Sequence, residues 1–183
     1  MRVYFIGSHS VGKSTLARYV SEQYRLPMIT EVARMVLSEQ ELQVDRLRHD
    51  MQVVNNYQRQ VFFRQLQEEN KHTDFVSDRS FDCLSYAAQH SSILPELLAS
   101  SELTTYLNKL RQPETVLFFV RPCRETLGSD GVREAISWEG VVEIDAMTKL
   151  FLKMWDLPHF QISMSNMQER VQLVDAVLRL KGC

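Results

Sequence analysis

Short apolar runs alternate along the chain with longer amphipathic stretches. Val3-Tyr4-Phe5-Ile6 is stopped by Gly7 and reads as a strand buried on both faces. From Lys13, Leu16, Val20 and Tyr24 recur at four-residue steps, which predicts a helix. Pro27 to Thr30 is a second short strand ending at Glu31. Val32 to Lys71 holds no Gly or Pro, and Leu47, Met51, Val54, Tyr57, Val61 and Phe62 form an apolar stripe along it. That stretch exceeds a usual globular helix, so a break is expected near Ser38 to Val44. Asp74 to Asp78 is a third strand ending in an acid. Helices are expected from Cys83 to Gln89 and, as one or two pieces, from Pro95 to Leu110. Thr115 to Val120 is the clearest strand. Arg121 to Gly131 is polar, with Pro122, Gly128 and Gly131, and reads as a loop or lid. A helix from Glu139 to Trp155, a strand from Phe160 to Ser163 and a helix from Met167 to Leu180 complete the chain.

Strands alternating with helices predict an α/β sandwich around a mostly parallel sheet, with right-handed crossovers placing helices on both faces. Ligands bind such sheets outside the carboxyl ends of the strands. Gly7, Glu31, Asp78 and Arg121 each end or follow a predicted strand, so all are expected to face one crevice.

Gly7-Ser8-His9-Ser10-Val11-Gly12-Lys13-Ser14 fits G-x-x-x-x-G-K-[ST] between a strand and a helix. The glycines let backbone N–H groups, those of Ser10 and Val11 among them, curl around phosphate oxygens, and the helix start adds its positive dipole end. Lys13 supplies charge for the outer phosphates, Ser14 is the expected Mg²⁺ ligand, and Thr15 can bond an α-phosphate oxygen. His9, in the variable part of the loop, reads as a spacer. ATP with Mg²⁺ is the expected cofactor pair.

Asp78 suits the outer shell of that Mg²⁺ or the acceptor hydroxyl, and it could also cap the next helix. Glu31 could orient a hydroxyl and take its proton, or favour a helix dipole. Arg34, about one turn past Glu31, and Arg79 can fork onto an anionic acceptor or the moving phosphoryl group, where a lone surface arginine would be solvated. Arg121, Arg124 and Arg133 bracket the loop, where a closing lid would bring cations to the γ-phosphoryl and exclude water. Tyr57, Phe62 and Phe63 read as core before stacking platform, and Trp138 shares that ambiguity.

Composition narrows this little. The chain has 183 residues, suiting one domain (1–183) with a lid at about 121–138. Its net charge of -2 offers no global field for nucleic acid or membrane. Cys83, Cys123 and Cys183 are widely spaced, without a C-x-x-C pair, and read as free thiols. Neither a leader nor a membrane span is expected, which suits the cytoplasm, that of a host if the chain is phage-encoded.

Gly7-x-x-x-x-Gly12-Lys13-Ser14, Glu31-Val-Ala-Arg34, Asp78-Arg79-Ser80 and Asp130-Gly131-Val-Arg133 occur in the order seen in small P-loop kinases. From Met1 to about Ser163 the chain resembles the group typified by the nicotinamide riboside kinase domain of bifunctional NAD-biosynthesis regulators. Phage-encoded nucleotide kinases and 5-hydroxymethyluracil-DNA kinases look similar. Asp78-Arg79-Ser80 is also similar to the Glu-Arg-Ser of deoxyribonucleoside kinases. The resemblance implies a five-stranded parallel sheet of order 2-3-1-4-5 with a lid. It also implies transfer of the ATP γ-phosphate to a nucleoside- or nucleotide-type acceptor, with Glu31 or Asp78 at the acceptor hydroxyl and Arg79 and the lid arginines on phosphates. No counterpart of the regulators' adenylyltransferase and DNA-binding parts is expected, so neither of those roles carries over.

Rival readings are a kinase acting on 5-hydroxymethyluracil in DNA, a deoxynucleoside monophosphate kinase and a regulatory ATPase. The first needs a basic groove, for which Arg46, Arg48, Arg59, Arg64 and Lys71 are the candidates, although acids interleave with them. The helices around Val53 to Leu66 could pair two chains in a homodimer.

Overall fold

The computed structural model describes residues 1–30, 32–39, 50–124 and 137–182. Its elements are β1 (Arg2–Ile6), α1 (Lys13–Tyr24), β2 (Met28–Ile29), α2 (Val32–Glu39), α3 (Met51–Glu69), β3 (Phe75–Ser77), α4 (Cys83–His90), α5 (Leu94–Leu98), α6 (Ser101–Leu110), β4 (Thr115–Val120), α7 (Trp138–Met154), β5 (Phe160–Ile162) and α8 (Met167–Leu180). The five strands form one sheet of order β2-β3-β1-β4-β5, and its four pairings are all parallel. The register sets Ile6 beside Phe119 and Tyr4 beside Ser77, so β1, β3 and β4 end at one rim.

Strand alternation splits the core in two. Tyr4, Ile6, Leu117 and Phe119 pack on one face against α2 to α7, through residues such as Val36, Phe62, Leu84, Leu107 and Phe151. Val3, Phe5, Val116 and Phe118 pack on the other against α1 and α8, through Leu16, Val20, Val174 and Leu178. β1 lies in the middle and is buried on both faces, which is why it reads as an unbroken apolar run. Burying each such large side chain contributes about 1.5–3 kcal/mol.

Helix starts follow local chemistry. The Asp50 carboxylate accepts from the N–H groups of Gln52 and Val53, and Ser100, Ser137 and Asn166 cap α6, α7 and α8. The helical stretch after β2 is interrupted at Asp50, whose backbone is extended before α3, while the break expected near Ser38 to Val44 falls mostly on 40–49, outside the described residues. Val54, Val61 and Phe62 of its stripe are buried, whereas Met51 in the first turn of α3 is 54% exposed and leaves the core. Tyr57 and Phe63 pack against the core with Phe62, so this trio is core.

One part of the core is polar. Glu69 is fully buried, and its carboxylate accepts from the hydroxyls of Tyr4 (2.5 Å) and Tyr106 (2.7 Å) and from the Gln65 amide (2.9 Å). Lys109 Nζ lies 3.5 Å away. Burial raises the Glu69 pKa, and burial with the Glu69 charge drives both tyrosines well above their ordinary value.

Candidate active site

The chain leaves β1 at Ile6 and turns through Gly7, at φ 137°. A Cβ at Gly7 would land on the Val120 carbonyl oxygen at the end of β4. Ser10 (φ 55°) and Gly12 (φ 90°) also take left-handed conformations, which close the curl before α1. Gly12 holds the cap position of α1 and brings no side chain to it, so the first N–H groups of the helix are left for an anion. Lys13 Nζ folds back over the loop and donates to the carbonyls of Gly7 (2.8 Å) and Ser8 (2.5 Å). Thr15 is exposed on the first turn of α1.

Asp78 follows β3 and faces the same rim. Its Oδ2 accepts from Ser14 Oγ at 2.5 Å and from Thr30 Oγ1 at 2.9 Å. The starts of α1 and the ends of β2 and β3 are thus joined through one carboxylate oxygen. This donor set fits Mg²⁺, a hard cation that takes one or two protein oxygens and fills its octahedron with phosphates and water. Among the described residues, no group of three or more His, Cys, Asp or Glu side chains could hold a metal alone.

The segment after Asp78 is held from below. Gln65 Nε2 donates to Ser77 Oγ (3.1 Å) and to the Arg79 carbonyl (3.3 Å), and Ser80 Oγ lies 2.7 Å from the Tyr106 hydroxyl. The Arg79 guanidinium lies 5.4 Å over the Tyr86 ring, and the His9 ring lies 4.5 Å from that same ring. Asp82 holds the cap position of α4, so the acid at that helix start is Asp82 and not Asp78. Asp82 is fully buried, and its carboxylate accepts from the N–H groups of Ser80 (2.7 Å) and Gly7 (3.4 Å). Burial raises its pKa, and the positive charges of Lys13 and Arg79 oppose that rise. Sequence reasoning missed Asp82. Its signal lay in Asp-Arg-Ser-Phe-Asp, where both acids suit a helix start and only the fold puts one under the phosphate loop.

The remaining candidates are placed less centrally. Arg34 is exposed on α2. Arg121 forks onto Asp145 of α7, with N···O distances of 2.9 and 2.8 Å, and lies 5.1 Å over the Phe119 ring. Arg124 lies 5.7 Å over the Trp138 ring. Glu31, Arg133 and Asp130-Gly131 lie outside the described residues, as does most of the loop at 121–138. Of the candidate basic groove, Arg59 pairs with Glu96, Arg64 with Glu39 and Glu68, and Lys71 with Glu68. Arg46 and Arg48 are outside the described residues. No helix among the described residues is long and apolar enough to cross a membrane.

A family model described as AAA domain matches residues 2–170. No curated protein sequence matches the chain. Among solved structures, the chain is similar to deoxyadenosine kinase from M. mycoides with bound dCTP, at 14% identity and a TM-score of 0.73, covering 98% of this chain and 99% of that one. It is similar to the YorR protein of Bacillus subtilis in complex with phosphorylated GDP, at 12% identity and a TM-score of 0.66, covering 99% and 96%. It is also similar to NadR in complex with NR, at 15% identity and a TM-score of 0.72, covering 100% of this chain and 51% of that one. The sheet order and the helices around it are those of the P-loop kinase fold.

Proposed function

We propose, for a chain that belongs to the AAA domain family, that this site moves the γ-phosphoryl group of ATP to a hydroxyl of a nucleoside- or nucleotide-type acceptor. The observation that carries this reading is the bond between Ser14 of the phosphate loop and Asp78 at the end of β3. A hydroxyl and a carboxylate side by side at the Gly7–Ser14 loop support the reading, because phosphoryl transfer needs oxygens of this kind for a metal beside the phosphates. The deoxyadenosine kinase likeness adds support from the fold.

In this reading the N–H groups from Gly7 to Ser14 fix the phosphates, with Ser10, Val11 and Gly12 shaping the curl. Lys13 exchanges its loop carbonyls for phosphate oxygens and stabilises charge in the transition state. Thr15 bonds an inner phosphate oxygen. Ser14 and Asp78 hold Mg²⁺, which when bound supplies charge neutralisation at the outer phosphates. Glu31 orients the acceptor hydroxyl and accepts its proton, with Asp78 as the alternative. Arg34 and Arg79 hold the acceptor. Arg121, Arg124 and Arg133 serve a lid over the nucleotide, and the chain works as one domain.

The test is a γ-labelled ATP transfer assay with Mg²⁺. Its acceptors are nicotinamide riboside, deoxynucleosides, their monophosphates, and duplex DNA with and without 5-hydroxymethyluracil. The expected result is label on a free nucleoside or nucleotide. Label only on the modified duplex would move the acceptor into DNA, a surface that the ion-paired Arg59, Arg64 and Lys71 do not favour. Phosphate release indifferent to every acceptor would overturn the kinase reading and leave an ATPase, as the family match also allows.

A further inference from the structure

α8 returns to the sheet with its first turn against the phosphate loop. A Cβ on Gly12 would meet Met167 Cε and Arg170 Nη1, each at 3.2 Å. Arg170 is the fourth residue of α8 and is 1% exposed. Its Nη1 donates to the Val11 carbonyl at 2.5 Å and its Nε to the Met164 carbonyl at 2.6 Å. Its Nη2 is buried without a hydrogen-bond partner. Among the described residues no carboxylate pairs with it.

Two features make this position unfavourable for a cation. A buried charge without a counter-ion is disfavoured by several kcal/mol or more. The start of a helix carries the positive end of its dipole, which repels a cation further. Burial accordingly pulls the Arg170 pKa below its ordinary value. The titratable group with a described effect on it is the Cys123 thiol, which is no carboxylate. A neutral side chain of similar length would reach the same carbonyls without that penalty. With no carboxylate against it among the described residues, the charge calls for a partner that arrives, and it already touches the Gly7–Ser14 loop at Val11.

We propose that Arg170 is a nucleotide-affinity residue, a cation held behind the phosphate loop whose counter-charge is the phosphate chain of the bound nucleotide. This inference rests on reading Gly7 to Ser14 as the phosphate site. Through Val11 and Met164 the same guanidinium also ties that loop to the segment after β5. It acts on the phosphates at second hand, through the field and through the shape of the loop. Because the charge is shielded from water, its attraction is screened less than that of a surface arginine.

The experiment is calorimetric titration of the whole chain with AMP, ADP and ATP, in Arg170→Gln, Arg170→Lys and Lys13→Ala beside the unaltered protein. Thermal melting of each unliganded variant verifies folding. Arg170→Gln should weaken ATP by about tenfold to thirtyfold, ADP less and AMP least, since the lost attraction scales with phosphate charge. Arg170→Lys keeps the charge and should recover most of the ATP affinity. An equal loss for all three nucleotides would make Arg170 a brace for the loop and overturn the inference. If the Gln variant fails to fold, Arg170→Met, which also removes the charge from a side chain of similar length, decides the same point. No loss in either Arg170 variant, with Lys13→Ala impaired, overturns this inference and leaves the phosphate site standing. Unweakened ATP binding by Lys13→Ala would overturn the site assignment itself, and this inference with it.

Discussion

At the scale of single residues, Gly7 carries the tightest requirement. It turns the chain at φ 137° with the Val120 carbonyl where a Cβ would stand, so a side chain there is strained in its own backbone and collides with β4. Gly7→Ala should lower stability by about 2–5 kcal/mol, combining backbone strain with overpacking, and should abolish nucleotide binding. Urea unfolding with an unchanged midpoint would refute that. Gly12 differs, because the atoms near its missing Cβ are the ends of Met167 and Arg170, which can shift. The curl from Gly7 to Gly12 was legible in the sequence because its shape is encoded locally, in the backbone freedom of its glycines. Asp82 and Arg170 were not legible. Each acts through burial beside a segment far away in sequence, and an acid near a helix start or an arginine in a closing helix looks ordinary until the fold buries it.

At the scale of elements, the strand ends depend on a polar brace. Glu69 of α3 holds β1 through Tyr4 and α6 through Tyr106 and Lys109, while Gln65, one turn earlier, holds β3 and the Asp78–Ser80 segment. Replacing Glu69 with Leu removes the carboxylate that accepts from the Tyr4 hydroxyl and faces the Lys109 ammonium, and takes one partner each from Tyr106 and Gln65. We expect a loss of about 3–5 kcal/mol in chemical unfolding, the range for breaking a buried pair from one side. A loss below about 1 kcal/mol would mean that the brace carries little. The elements themselves were readable from periodicity. Thr115–Val120 and Met167–Leu180 have the expected bounds, and the others shift by a residue or so. The Gly- and Pro-free run Val32 to Lys71 announced an interruption by its length alone, with no residue type to mark its place. Glu69 was unreadable too, because an acid in a charge-mixed helix looks like a solvated one.

At the scale of the whole molecule, a site that draws on β1, β3, α1, α4 and α8 couples ligand binding to global stability. A nucleotide at about 100 times its dissociation constant adds about 2.7 kcal/mol to the unfolding free energy. For a chain of this length that raises the melting temperature by about 5–10 °C. Melting scans with and without ATP should show this rise in the unaltered protein and its absence in Lys13→Ala. A chain indifferent to nucleotide would argue against the site.

The pairing of β1 with β4 also has a consequence for synthesis on the ribosome. The phosphate loop emerges first, yet Gly7 packs on Val120 and Val11 on Arg170, which emerge far later. The loop therefore lacks both of these packing partners while most of the protein is translated, and on the reading proposed above nucleotide binding would report that α8 has docked. A polypeptide stalled before Arg170 carries the complete phosphate motif and still lacks the support that shapes it.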